Sequence, residues 1–246
     1  MNELTPMHDV GDAWSTTGFA ARMKAVERGA RALRERFASE SATIAVRTLP
    51  LATAVYPTKF AYWGTAFSPA PYVTLTLAAV LIQFRQNGAL KNLLFEPTDV
   101  EGAKRTPFYA RVIEQYGPTI SKMLAKTFDP IEAQLAELDL TADDIDYVAF
   151  DHFHVQDLRT LLGTTDGAYT ARFPRAKLLA PRTEWMQWDE GSPIQQAWLV
   201  QDGRERVDES RIVFTDGDYR LGDGVMFVRT PGHTAGNQTL FFKTPD

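Results

Sequence analysis

The sequence predicts a single α/β, sandwich-like domain with an N-terminal helical extension. Three observations carry that expectation. Runs of β-branched and aromatic residues alternate with stretches of helical spacing along the chain. The 246 residues, 44% hydrophobic and 23% charged, have globular composition and a length that single layered domains reach. No repeat, low-complexity segment or linker divides them.

Residues 1–16 read as a tail. Residues 19–38 read as an amphipathic helix, because Met23, Val26, Ala30 and Leu33 recur at helical spacing. Residues 43–47, 72–84 and 90–95 read as strands, and Asn87-Gly88 between the last two is hairpin chemistry. Residues 106–138 return to helical texture, broken at Tyr116-Gly117-Pro118. Thr141 to Asp144 supply N-cap chemistry for a short turn. Residues 147–150 form a short apolar strand ending at Asp151. Beyond it, residues 177–180, 211–214, 225–229 and 239–242 read as strands, and residues 158–162 and 182–188 as short helices. Asp216-Gly217-Asp218 and Gly222-Asp223-Gly224 are turn signals. The expected organisation is an N-terminal tail and helix over 1–40 and a main domain over 41–246.

Charge and composition exclude several classes. A net charge of −5 argues against a nucleic-acid-binding surface. The absence of cysteine removes disulfides, thiol catalysis and thiolate metal sites. The N-terminus carries Glu3, Asp9 and Asp12 without an apolar run, so a signal peptide is not expected. The most apolar stretch, 72–84, is too short to span a bilayer. The expectation is a soluble cytoplasmic protein with no membrane or nucleic-acid partner; the oligomeric state is open.

Three of the four histidines fall in two short segments, each directly after a predicted strand. One is Asp151-His152-Phe153-His154-Val155-Gln156-Asp157, and the other is Thr230-Pro231-Gly232-His233-Thr234-Ala235-Gly236-Asn237. In extended backbone, residues two apart point the same way, so His152 and His154 can face one ion. His233 would complete a three-nitrogen face with an open position, the form of a catalytic zinc site. Each motif alone is more often a turn or a packed pair; both together in a histidine-poor chain are much less often accidental. His8 lies in the tail and has no assigned role.

The two segments resemble the signature of the metallo-β-lactamase fold superfamily, His-x-His-x-Asp-His followed by Thr-Pro-Gly-His-Thr-x-Gly. The lead-in from Leu138 to Val148 and the stretch from Asp216 to Thr230 are also similar, and the likeness covers roughly residue 90 onward. It implies an αββα sandwich, here with an N-terminal helical extension. It also implies metal ligation by His152, His154 and His233. At the next two positions, where the family has Asp and His for a second metal, this chain has Gln156 and Asp157. Gln156 is a weak, neutral ligand. Asp157 offers a carboxylate oxygen to the metal and a catalytic role in holding water or relaying a proton. The expected cofactor is zinc, one ion or two, with iron or manganese as alternatives. The family pattern continues with an aspartate and a later histidine past the last predicted strand, so the closing part of the second sheet is expected to be missing from this chain.

The implied activity is metal-dependent hydrolysis of a small molecule, with hydroxide on the metal attacking an ester, lactone, thioester or similar bond. Two alternatives remain open: an inactive binding or scaffold protein on the same fold, and an iron-dependent redox protein. Further residues are weighed as supporting groups. Glu96 or Asp99 would hold a histidine or face solvent; Asp151 would orient His233 or cap its loop; Asn237 would bond a ligand. Trp185, Trp188 and Trp198 would line a pocket or pack the core.

Overall fold

The computed structural model describes residues 4–62, 66–123 and 125–245. Two sheets organise them. The larger has the order β5-β2-β3-β4-β6-β7-β8, and the smaller has the order β1-β9-β10-β11. The strands are β1 (Thr5–Met7), β2 (Ala45–Pro57), β3 (Tyr72–Gln86), β4 (Ala89–Phe95), β5 (Ala125–Thr127), β6 (Tyr147–Ala149), β7 (Lys177–Pro181), β8 (Ile212–Thr215), β9 (Asp218–Gly222), β10 (Val225–Arg229) and β11 (Gln238–Phe242). β2, β3 and β4 form an antiparallel meander. From β4 onward the neighbours β6, β7 and β8 run parallel, joined by crossovers that carry the short helices. Asn87 (φ 51°) and Gly88 (φ 82°) make the tight β3–β4 turn, as the Asn-Gly pair predicts.

Three apolar clusters fill the spaces between four layers. Ile82, Phe84, Leu93, Tyr147, Ala149 and Leu179 of the larger sheet meet Tyr219, Leu221, Val225 and Phe227 of the smaller one. The outer face of the larger sheet, through Leu81, Leu94, Val148 and Leu178, is covered by Ile131, Leu135, Leu158, Leu161 and Trp185 from short helices. The outer face of the smaller sheet, Met226 and Val228, is covered by Leu33, Val26 and Phe37 of the helix Phe19–Ser39. The result is the expected αββα sandwich. The second half of β3, the end of β4, and β6 and β7 bury both faces, which is why they read as continuous apolar runs rather than as alternating ones.

The N-terminal segment is more than a tail with a helical extension. β1 pairs antiparallel with β9. The backbone N–H groups of Val10 and Gly11 donate to Asp218 Oδ2 at 2.8 and 2.6 Å, and Trp14 Nε1 donates to the Arg229 carbonyl at 2.9 Å. Residues 4–39 thus supply one edge and the outer layer of the smaller sheet.

Two other expectations change. The helical stretch 106–138 divides into the helix Pro107–Met123, non-helical at Gly117 (φ 74°), the short strand β5 and the helix Ile131–Ala136. The helix expected over 182–188 breaks at Met186 into Arg182–Trp185 and Gln187–Glu190. No helix among the described residues is long and apolar enough to cross a membrane.

Candidate metal centre

The loop from Phe150 to Asp157 leaves the end of β6, and the loop from Thr230 to Asn237 joins β10 to β11. The two lie in different sheets, so something must hold them together. Gln238, at the start of β11, does so at one point: its Nε2 donates to the Phe150 carbonyl at 2.8 Å and its backbone N–H to the Asp151 carbonyl at 3.0 Å. Glu184 does so at another. Its carboxylate is fully buried and accepts from the Phe153 N–H (3.0 Å), the Thr234 hydroxyl (2.6 Å) and the Gly236 N–H (3.2 Å). Phe153 lies between the first two histidines, and Thr234 follows the third.

These clasps bring His152, His154 and His233 together. The ring centroids lie 4.6 Å (152–154), 4.7 Å (152–233) and 4.9 Å (154–233) apart. One ligand nitrogen from each falls within 4.8 Å of the others. The surroundings select which nitrogens are available. Nδ1–H of His152 donates to Asp151 Oδ1 at 2.5 Å, leaving Nε2. Nε2–H of His154 donates to Gln195 Oε1 at 2.5 Å, leaving Nδ1, which lies 3.2 Å from His233 Nε2. Fixing the outer nitrogen of a ligating imidazole by a carboxylate or amide is the usual way its tautomer and orientation are set. Gln195 also donates from Nε2 to the His233 carbonyl at 2.8 Å, so one side chain ties the second histidine to the third.

Two of the imidazoles, His154 and His233, are pushed towards the neutral form. Burial and the neighbouring charges of His152 and His233 push His154 down to about 4. Burial and His152 lower His233. Asp151 sits below the ordinary carboxylate value: burial opposes this, but its hydrogen bond to His152 and the charge there outweigh it. Glu96, desolvated and close to Asp151, is pushed well above its ordinary value, and its Oε1 accepts the Asp151 N–H at 2.6 Å. Three imidazoles around one shared space, two of them with the outer nitrogen fixed, form a donor set suited to a divalent transition metal.

The remaining sequence candidates fall in different places. Asp157 is not with the histidines as a ligand: its carboxylate is clasped by Arg159 and Arg105 and caps the helix Leu158–Leu162. Asp151 holds His152 rather than His233. Glu96 reaches the centre through Asp151, not as a solvated carboxylate. Asp99 caps the helix Val100–Ala103 by accepting the Glu101 N–H, and Asn237 donates to the Thr230 hydroxyl. The three tryptophans separate. Trp185 and Trp188 pack around Phe153, while Trp198 lies 6.2 Å from the His154 ring and stacks on Phe108 at 3.9 Å. His8 is exposed and pairs with Asp12. Sequence reasoning missed Glu184 and Gln195, which belong to no local motif and act only through the tertiary fold.

No family model and no curated protein matches the sequence. Solved structures do. A probable metal-dependent hydrolase from Staphylococcus aureus superposes with a TM-score of 0.56 at 18% identity, over 83% of this chain and 70% of that one. A quorum-quenching N-acyl homoserine lactone lactonase gives 0.55 at 18% identity, over 84% and 71%. A dizinc quorum-quenching lactonase in complex with its product gives 0.52 at 14%, over 82% and 68%. At these identities the likeness is one of fold, and the fold is metallo-β-lactamase-like.

Proposed function

We propose that this chain is a metal-dependent hydrolase acting on a small molecule with an ester-type bond, a lactone or thioester among them. The observation that carries the reading is the convergence of His152, His154 and His233 from two sheets, with Asp151 and Gln195 already holding the outer nitrogens of two of them. A metal held there would supply Lewis acidity and an activated water at neutral pH. Trp198, Phe108 and Tyr109 form an aromatic group beside His154, suited to an apolar substituent of the substrate. Lactonases among the solved structures of this fold support the ester-type choice.

The test pairs metal content with turnover. Elemental analysis of the protein loaded with zinc, iron or manganese should give bound metal, and His152→Ala or His233→Ala should abolish both the metal and hydrolysis of an acyl-lactone and thioester panel. Metal-free protein that turns over these substrates as fast as the loaded protein would sink the reading. So would loaded protein without activity on any ester-type substrate.

A further inference from the structure

A dizinc lactonase stands among the solved structures with this fold, so a second cation beside the histidine group is the natural expectation. The residues around that position do not fit one. We propose that this chain holds a single cation, and that a closed guanidinium–carboxylate cluster built on Asp157, Arg159, Arg105 and Asp202 takes the place of the second. The inference rests on the proposed function only in treating the three histidines as the primary metal site.

Every acceptor that a second cation would need from Asp157 is already in use. The side chain is 1% exposed. Its Oδ1 accepts from Arg159 Nε at 2.9 Å and from the Arg159 backbone N–H at 3.2 Å. Its Oδ2 accepts from Arg159 Nη2 at 2.7 Å and Arg105 Nη1 at 2.9 Å. The same two guanidinium groups run on to Asp202: Arg105 Nη2 reaches both of its oxygens at 2.7 Å, and Arg159 Nη1 reaches Oδ2 at 2.7 Å. Two positive and two negative charges close on each other, so the cluster has no surplus negative charge to offer a dication. Recruiting Asp157 would break its ion pair with Arg159, in which both side chains are buried, the costly kind of ion pair to break. The carboxylate is also packed against a helix. A Cβ placed on Gly102 would come within 3.0 Å of Asp157 Cβ and 2.9 Å of Asp99 Oδ2, so the helix Val100–Ala103 already lies against the cluster.

Gln156 does not make up the deficit. Its Nε2 donates to the Thr98 hydroxyl at 2.9 Å, and its buried Oε1 lacks a hydrogen-bond partner. That leaves one neutral amide oxygen, a poor ligand for a divalent cation compared with a carboxylate. Among the described residues, His152, His154 and His233 form the group of side chains with metal-binding spacing, and no carboxylate belongs to it.

The experiment counts zinc per chain. Intact protein is loaded with excess zinc, desalted, and measured by native mass spectrometry and elemental analysis, with no reference to activity. One zinc per chain is expected, lost in His233→Ala. In Asp157→Asn, if it folds, one zinc should remain, with affinity within about tenfold of the wild type, since Asp157 orients no ligand. Two zinc ions per wild-type chain would overturn the inference while leaving the hydrolase reading intact. Loss of zinc from a folded Asp157→Asn variant would overturn it as well. No zinc at all would overturn this inference, and the proposed function would fall with it only if iron and manganese loading also left the protein without metal.

Discussion

Glu184 shows how much one side chain can decide. A carboxylate with no exposure is tolerated because three donors surround it, two from the histidine-bearing loop of the smaller sheet and one from that of the larger. Glu184→Gln keeps the volume but turns an NH2 group toward donors, leaving buried hydrogen bonds unmade. We expect a loss of about 2–3 kcal/mol of stability. We also expect zinc affinity to fall by about tenfold or more, because the loops bearing His152, His154 and His233 are no longer clasped. Urea unfolding and a competitive zinc titration measure the two effects. A variant that loses stability but keeps full zinc affinity would mean that Glu184 packs the core without positioning the ligands. The histidines themselves are legible in the sequence because each sits in a short motif after an apolar strand. Glu184 and Gln195 are not: one lies just after β7 and the other on a four-residue helix, and their role exists only once separate segments meet. Asp157 is the converse. Its place in the motif suggests a ligand, and only the arginines brought in from positions 105 and 159 show where its charge is used.

At the scale of elements, the sequence reading succeeds where an element declares itself locally. The helix Phe19–Ser39, the β3–β4 hairpin and the buried parallel strands all carry their own periodicity or turn chemistry. It fails for β9, which lies between two turn signals, for β2 beyond residue 47, and for β1 and β5, three-residue strands that exist only because β9 and β2 offer free edges. The helix Phe19–Ser39 contains a glycine that illustrates the difference. In an exposed helix, Gly→Ala raises stability by about 0.5–1 kcal/mol. At Gly29 the added Cβ would lie 1.9 Å from the Asp9 carbonyl oxygen, in the segment that carries Val10 to Asp218. Backbone sits there, not a flexible side chain, so the segment must move. Gly29→Ala is therefore expected to destabilise by about 1–3 kcal/mol, read as a lower urea midpoint. A midpoint at or above that of the wild type would show that residues 9–11 are only loosely held to the helix.

At the scale of the whole molecule, the histidine group couples the metal-free protein's stability to pH. His154 has a folded value of about 4 against an ordinary 6.5. Between these values the unfolded chain binds the extra proton, so folding stability falls as pH drops from 6.5 towards 4. His233, also lowered, acts in the same sense. Glu96 acts in the opposite sense: its carboxyl is raised in the folded protein, so acidification towards its unfolded value of 4.5 favours folding. The total profile mixes these terms, and the difference between wild type and His154→Asn isolates the one of interest. Urea unfolding of both metal-free proteins from pH 7 to pH 4.5 should show the wild type losing stability relative to the variant as pH falls. A constant difference across that range would mean that His154 titrates near its ordinary value. Its ring would then be neither desolvated by burial nor close to the charges of His152 and His233, and the centre would be looser than the 3.2 Å approach to His233 indicates. Zinc binds nitrogens that carry no proton, so it should raise wild-type stability most at pH 7 and least at pH 4.5.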